Sequence, residues 1–421
     1  MDVLDTTADP ATERPGQDLL DTWTLTDRIG GTPPSRWLDV AREVAATLAV
    51  DVIERDQRGA APYAEVALLR DAGLLPLLVP TELGGHGEPY RTGLEIVRIV
   101  ARVDSSIAHL LAYHWAFQTR LNPEPSAALL DFQRRSAEHA WIVGSTGTPL
   151  DQEIAVEVVP GGLRLTGSKN FNTAARVADR IVGFPMHPET RDRLLVEIDT
   201  GRPEIAFRED WDTLGQRLTA SNGLHLDGYF VRDDEILGNL GPDDGPRAPS
   251  ETISVFSFQL IFIFLYLGLA EGALLKAREY TTTRTRPWIH ASVDDATEDP
   301  HILATYGELV AKVQALAALA DRAERAAAWA EQRGDQLTAV ERAEAASIGA
   351  SAKQVATTTV LEVTSRVFET AGARATQRSV GLDLFWRNAR THTLHSPVAY
   401  KAEEVGRLFL RGELPSPSDY R

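Results

Sequence analysis

The sequence predicts an α+β fold laid out as helices, then strands, then longer helices. Three observations carry this expectation. Apolar residues recur at helical spacing from Trp37 to Phe117, the period drops to two between roughly residues 141 and 240, and helical runs return and lengthen from Thr252. A chain of 421 residues can bury a large core and divide into two or three domains. We expect a flexible arm over residues 1–34, an N-terminal helical domain over 35–140, a β-domain over 141–245 and a helical bundle over 250–421.

The arm is rich in Asp, Thr, Pro and Gly, ends at Gly30-Gly31-Thr32-Pro33-Pro34 and has no sustained apolar period. Ser35 is suited to cap a helix whose apolar face is Trp37, Val40, Ala41, Val44, Leu48 and Val52. A second helical stretch, 65–71, stops at Gly73. Residues 74–80 predict an extended apolar connector, and Gly84-Gly85-His86-Gly87 a loop, before two helices over 94–103 and 107–117. Ile154, Val156 and Val158, the Gly161-Gly162 turn, then Leu163 and Leu165 predict a hairpin. Residues 194–198 and 224–231 extend it into a small antiparallel domain, closed by the Gly-, Pro- and Asp-rich linker 238–249. Residues 255–270 are apolar nearly all round yet short of the ~20 needed to span a membrane. They predict a helix buried in the bundle or in a subunit interface. The Ala- and Leu-rich run 301–332 predicts a helix about 45 Å long. Thr338-Ala339-Val340-Glu341 is a capping box, and the helix it opens should stop at Gly372.

The net charge of −17 argues against nucleic acid or an anionic membrane as partner. The chain has no cysteine, hence no disulfide, thiolate nucleophile or cysteine-held metal. Neither a P-loop nor a Rossmann glycine pattern is present, and Pro300 interrupts the single Glu-x-x-His, Glu298 to His301, so no metal site is expected. No charged segment followed by an apolar one opens the sequence, from which we expect a cytoplasmic protein.

The stretch Phe385-Trp386-Arg387-Asn388-Ala389-Arg390-Thr391-His392-Thr393-Leu394-His395-Ser396-Pro397 concentrates chemistry-bearing residues. On a helix His392 and His395 would share a face, with Pro397 just past the last turn. A neutral imidazole both gives and takes a proton near pH 7. The alternative is a satisfied structural pair.

Leu165-Thr166-Gly167-Ser168-Lys169-Asn170-Phe171-Asn172-Thr173 with Ala178-Asp179, and Leu214-Gly215-Gln216-Arg217 through Phe230-Val231 to Leu237-Gly238, resemble the β-domain of the acyl-CoA dehydrogenase family. Pro80 to Gly87 resembles that family's Pro-x-x-x-Gly-Gly-x-Gly loop, and the likeness runs from about Trp37 to the C-terminus. It implies an acyl-CoA dehydrogenase-like fold: an N-terminal α-helical domain, a middle antiparallel β-domain and a C-terminal four-helix bundle, with a flavin between the last two, in a homotetramer. Arg387-Asn388-Ala389-Arg390 resembles the family's Arg-Asp-Ala-Arg/Lys segment, but His395-Ser396-Pro397 stands where Tyr-Glu-Gly is expected. The carboxylate base is missing, and serine cannot abstract a weakly acidic C–H proton unaided.

A closer resemblance is to the flavin-dependent monooxygenase branch, the dibenzothiophene monooxygenase group. It rests on Tyr266-Leu267-Gly268, Ala277-Arg278-Glu279-Tyr280-Thr281, Arg286-Pro287-Trp288, Thr297-Glu298-Asp299-Pro300, the 385–395 stretch, and His109-Leu110-Leu111-Ala112-Tyr113-His114. That branch implies reduced FMN, with FAD less suited, supplied by diffusion from a separate NAD(P)H:flavin reductase. It implies reaction with O2 to a C4a-hydroperoxide and transfer of one oxygen atom to a small, largely apolar aromatic, sulfur or nitrogen substrate. By the same resemblance His395 is the proton donor and acid–base group, His392 its neighbour, and Thr173 a hydroxyl beside the flavin N5 and C4a edge. Ser145, in Gly144-Ser145 where the relatives carry Gly-Asn, faces the flavin, and Trp211 packs near its rings. Arg286 and Arg374 are candidates for the FMN phosphate, or else ordinary surface arginines. His109 and Tyr113, four apart on one helix face, line the substrate cavity or form a packed core pair. The alternatives in function are an acyl-CoA dehydrogenase or oxidase with a displaced base, and a silent helical scaffold.

Overall fold

The structure, a computed structural model, describes residues 35–119, 125–147, 153–242 and 247–415. Six helices come first: α1 (Arg36–Ala49), α2 (Val52–Arg58), α3 (Tyr63–Asp71), α4 (Tyr90–Ala101), α5 (Ser105–Thr119) and α6 (Ala127–Glu138). Ser35 caps α1, its hydroxyl accepting from the Trp37 N–H at 3.2 Å, and Trp37, Ala41, Val44 and Leu48 form the buried face. The arm, residues 1–34, lies outside the described residues.

Residues 74–80 do not extend as expected. They coil through successive turns, because their buried carbonyls are better served by side chains than by a strand partner. Trp115 Nε1 donates to the Leu74 carbonyl at 2.9 Å, and His114 Nε2 bonds the Leu75 carbonyl at 2.8 Å. His114 Nδ1 accepts from the Val143 N–H at 3.0 Å. With both nitrogens used and no exposed surface, His114 is a structural histidine tying α5 to the first strand.

Eight strands follow: β1 (Val143–Thr146), β2 (Ala155–Val159), β3 (Gly162–Lys169), β4 (Arg180–Gly183), β5 (Asp192–Asp199), β6 (Ile205–Phe207), β7 (Leu224–Arg232) and β8 (Ile236–Pro242). They form two four-stranded sheets, ordered β1-β4-β5-β8 and β2-β3-β7-β6. The expected hairpin is β2 and β3, with Ala155 opposite Thr166 and Val158 opposite Leu163. The first sheet is mixed rather than wholly antiparallel, since β1 runs parallel to β4. The chain builds the β2–β3 hairpin of the second sheet between them, and such a crossover is what parallel pairing requires.

Helices α7 (Ile253–Thr283), α8 (Pro300–Arg333), α9 (Ala339–Ala371), α10 (Leu382–His392) and α11 (Ala399–Arg411) complete the fold. Asp299 caps α8, accepting from the His301 N–H at 2.8 Å, and Pro300 supplies the preset first position. The Thr338/Glu341 capping box opens α9, which stops at Gly372 as the sequence predicts. Helix α7 is packed by α4, α5, α8, α9 and α10, so residues 260–267 are each at most 1 % exposed. That burial accounts for an apolar run without a polar face. The chain covers the run itself, so its length supplies no argument for a subunit interface. Where α7 passes α4, Glu271 lies between Arg98 at 2.6 Å and Arg102 at 2.8 Å.

Candidate functional site

Helix α5, helix α7 and the end of α10 converge on one aromatic and imidazole cluster. One turn of α5 sets the rings of His109 and Tyr113 4.2 Å apart. His109 stands edge-on to His392 at 4.6 Å. From α7, Phe258, Phe262 and Tyr266 present a stripe at spacing four. Phe258 packs on Tyr113 at 4.9 Å, and Phe262 reaches the His392 and His395 rings at 5.1 and 5.0 Å.

The two histidines do not share a helix face. Helix α10 ends at His392, and a turn closed by the His395 N–H donating to the His392 carbonyl at 3.0 Å carries the second ring back. The rings stack, 6.0 Å apart and 17° from parallel. Pro397 follows the turn. His395 Nε2 meets the Tyr113 hydroxyl at 3.1 Å. The Tyr266 hydroxyl meets His392 Nδ1 at 2.9 Å and the His392 carbonyl at 3.1 Å. Both contacts are satisfied when the phenol donates to the carbonyl and Nδ1–H donates to the phenol, which leaves Nε2 a bare acceptor.

The β-domain supplies the opposite wall through two loops. Thr173 follows β3, and its hydroxyl lies 3.5 Å from His109 Nε2 and 3.5 Å from the Ser221 hydroxyl. Ser145, on β1, donates its N–H to the Thr173 carbonyl at 3.4 Å. A side chain at the preceding Gly144 would meet that carbonyl at 2.9 Å, so glycine admits the approach. In the second loop Gly215 lies flat on α10, where a Cβ would come within 2.2 Å of the Arg387 carbonyl. The Gln216 N–H donates to Asn388 Oδ1 at 2.6 Å, its side-chain amide donates to Ser105 Oγ at 3.2 Å, and its carbonyl accepts from Trp211 Nε1 at 3.0 Å. Phe171, Ala174, Gln216 and Ala220 all hold positive φ in these two loops, a cost of order 1–3 kcal/mol each that cross-loop bonding must offset.

The fold therefore joins His109, Tyr113, Thr173, Ser145, His392 and His395, with Trp211 beside them through Gln216. It leaves Arg286 and Arg374 out. Both are exposed beyond the far end of α7, where Thr285 donates to the Ala371 carbonyl at 3.3 Å. The helix from Tyr266 to Thr283 spans about 25 Å at 1.5 Å per residue, so within one chain neither arginine reaches the histidines. Sequence reasoning missed Phe262, Gln216 and Lys353 as members of the site. The readable signal for the last was a lone lysine in the apolar and small-residue run of α9.

Burial lowers every imidazole here. His109 is pushed from 6.5 to about 3 by burial and then by His395. His395 falls to about 4 by burial and then by Lys353. His392 lies well below its ordinary value through burial, then His109, His395 and Lys353. All three are neutral at pH 7, able to accept a proton and return it. Among the described residues no hydrogen-bond partner reaches the buried His392 Nε2, while the Gln216 side chain faces His109 and works against the fall in its pKa. A buried bare acceptor of this kind suits a donor from a ligand or an ordered water. A flavin, flat and apolar in its rings with polar groups along one edge, suits a site with aromatic side chains of α5 and α7 on one side and the polar β-domain loops on the other.

Residues 260–400 match the acyl-CoA dehydrogenase C-terminal domain. Over 394 residues the chain is 37 % identical to a probable FMNH2-dependent monooxygenase, SfnC, of Pseudomonas putida, covering 92 % of this chain and 98 % of that one. It is 38 % identical over 413 residues to the dibenzothiophene monooxygenase of Mycolicibacterium goodii, with 94 % and 99 % coverage. The solved methanesulfinate monooxygenase MsuC of Pseudomonas fluorescens superposes with a TM-score of 0.86 at 36 % identity, covering 93 % of this chain and all of that one. The chain belongs to the acyl-CoA dehydrogenase family, in its flavin-dependent monooxygenase branch.

Proposed function

We propose that this enzyme is the oxygenase of a two-component system, taking reduced FMN from a separate NAD(P)H:flavin reductase and oxygenating a small, largely apolar aromatic, sulfur or nitrogen compound. The observation that carries the reading is the neutral histidine pair held by two phenols where a dehydrogenase would place its carboxylate. Reduced FMN, when bound, supplies the two electrons by which one atom of O2 passes to the substrate and the other leaves as water.

The chain's own residues do the rest. His395 is the acid–base group, with Tyr113 as relay through the 3.1 Å contact. His392, fixed by Tyr266, orients its neighbour. Thr173 and Ser145 would hold the polar edge of the flavin, and Trp211 braces the Gln216 loop through its indole N–H. His109 and Tyr113 bound the substrate space, and the aromatic chain Phe258, Phe117 and Phe184, in successive contacts of 5.7 and 5.9 Å, keeps water out. The relatives named for dibenzothiophene and methanesulfinate support a sulfur compound as the first substrate to try.

Arg286 and Arg374 can serve a phosphate only if a second copy brings them, which fits a homotetramer. Trp288 and Ile289, 71 and 82 % exposed, stand beside Arg286. Helix α8 is apolar enough to pass for a membrane span, yet only 22 % of that window is buried. Apolar surface of this extent fits burial between copies. Reduced flavin must arrive before oxygen consumes it, which supports a cytoplasmic location shared with the reductase. The test is anaerobic mixing with reduced FMN, then oxygen, with dibenzothiophene and methanesulfinate as substrates. Oxygenated product supports the reading. Oxidation of an acyl-CoA with bleaching of bound FAD would replace it with a dehydrogenase, and neither reaction would leave a scaffold.

A further inference from the structure

Gln216 is buried in the loop that lies on α10, and its backbone and side chain serve different ends. The backbone docks the loop. Its N–H donates to Asn388 Oδ1, and its carbonyl accepts from Trp211 Nε1 and, at 2.9 Å, from the Thr219 hydroxyl. The side-chain amide turns to α5, where Nε2 donates to Ser105 Oγ at 3.2 Å. His109 stands one turn beyond Ser105 on the same face, and the end of the amide left to face it is the oxygen. An oxygen there favours a proton on the imidazole, which is the sense in which Gln216 acts on His109. The nitrogen concerned is Nδ1, because Nε2 lies toward Thr173.

Which nitrogen of His109 carries the proton decides where the Thr173 hydroxyl points. Each hydroxyl has one proton to give. Thr219 gives its proton to the Gln216 carbonyl, so the 2.8 Å contact between Thr219 and Ser221 is filled from Ser221. Across the 3.5 Å gap to Ser221 the geometry suits Thr173 as acceptor. The described acceptor left for the Thr173 proton is His109 Nε2, at 3.5 Å, and it accepts only when the imidazole proton sits on Nδ1. At that length the contact sets the direction of the proton more than it adds stability.

We propose that Gln216 is a positioning residue that holds His109 in its Nδ1–H form, turns the Thr173 proton inward and leaves a lone pair toward the flavin, so that the site selects reduced over oxidised FMN. The inference rests on the reading that Thr173 meets the flavin at N5. Reduced flavin carries a proton on N5, whereas oxidised flavin has a bare lone pair there. A Thr173 oxygen whose proton is committed to His109 satisfies the first and leaves the second unpaired. Such a preference favours uptake of FMNH2 made by a separate reductase and release of FMN after each turnover.

The test compares the affinities of the full-length protein for oxidised FMN and, anaerobically, for reduced FMN. Gln216→Asn tolerates the left-handed backbone but stops short of His109, Gln216→Met removes the oxygen, and Gln216→Glu keeps one at the same reach. All three retain the backbone contacts that dock the loop. In Gln216→Asn and Gln216→Met the preference for reduced over oxidised FMN should fall by about tenfold, and in Gln216→Glu it should persist. On a Thr173→Val background, Gln216→Met should change the ratio no further. Equal weakening of both forms would overturn the proposal and make the side chain a loop strut. The ring nitrogen shifts of His109 in the protein without flavin, assigned with His109→Gln, provide the second readout. A wild-type Nε2–H form would overturn the proposal while leaving the oxygenase reading in place. An Nδ1–H form that Gln216→Met loses, with an unmoved FMN ratio, would overturn the selection and take Thr173 away from N5, and failure to bind either form of FMN would sink the flavin reading itself.

Discussion

His395 is held by a turn, a stack and a phenol, and its neutrality follows from burial. His395→Ala should leave flavin binding and melting temperature nearly intact while product formation falls by about 10²- to 10⁴-fold. Reduced flavin would still be oxidised, with the oxygen released as hydrogen peroxide. His392→Ala should cost less coupling but more stability, since it strips Tyr266 of a buried partner. Product-to-peroxide ratios and melting curves on both variants decide this, and wild-type coupling in His395→Ala would remove the residue from the mechanism. The same burial predicts acid lability. His109, His114 and His395 have folded values of about 3, 4 and 4 against 6.5 unfolded. The unfolded chain therefore takes up protons first as pH falls. Their contribution is whole above pH 6.5 and drains away between 6.5 and about 3, so the melting temperature should fall across that window. His395→Gln should flatten the slope, which a pH series of melting curves would show.

At the scale of elements, stability and site geometry rest on a few junctions. Burial alone would raise the Glu271 carboxyl, but Arg102 and Arg98 outweigh it and hold it below its ordinary value. Glu271→Gln leaves two guanidiniums in the α4–α7 seam short of their counter-charge and should cost about 3–5 kcal/mol, read as a lower denaturation midpoint with the slope unchanged. Gly215→Ala should act on the site instead. Its methyl meets the α10 backbone, so the Gln216 loop lifts and flavin affinity should drop more than stability does; equal affinity in the variant would show that the loop docks without that contact. Arg387, read from sequence as part of a motif near the chemistry, serves the same junction. It pairs with Asp56 at 2.7 Å and donates to the Leu214 carbonyl at 2.9 Å.

For the whole molecule, the open question is what meets the arginine end of the bundle. If copies pair there, Arg286→Ala should weaken FMN binding at least tenfold without changing the molar mass seen by light scattering. Trp288→Glu with Ile289→Glu should break the assembly and the flavin site together. A monomer that keeps full FMN affinity would separate the two and return both arginines to the surface.

The sequence by itself determined the layout and most element ends, because those depend on neighbours in the chain. Ser35, Asp299, Thr338 and Gly372 act on backbone groups within a turn of themselves, and the period of apolar residues reports only which face is covered. Family resemblance also pointed to His109, Tyr113, Thr173, His392 and His395 as candidates, and the fold brings these together. Only the tertiary structure decided how these residues meet. The end of α10 at His392, the parallel pairing of β1 with β4, the self-coverage of α7 and the distance of Arg286 and Arg374 all depend on partners far away in sequence. Lys353 shows the limit most plainly: a lysine among alanines and threonines reads as a solvated face until α7 is laid across it and buries the amine against Phe262 and Tyr266.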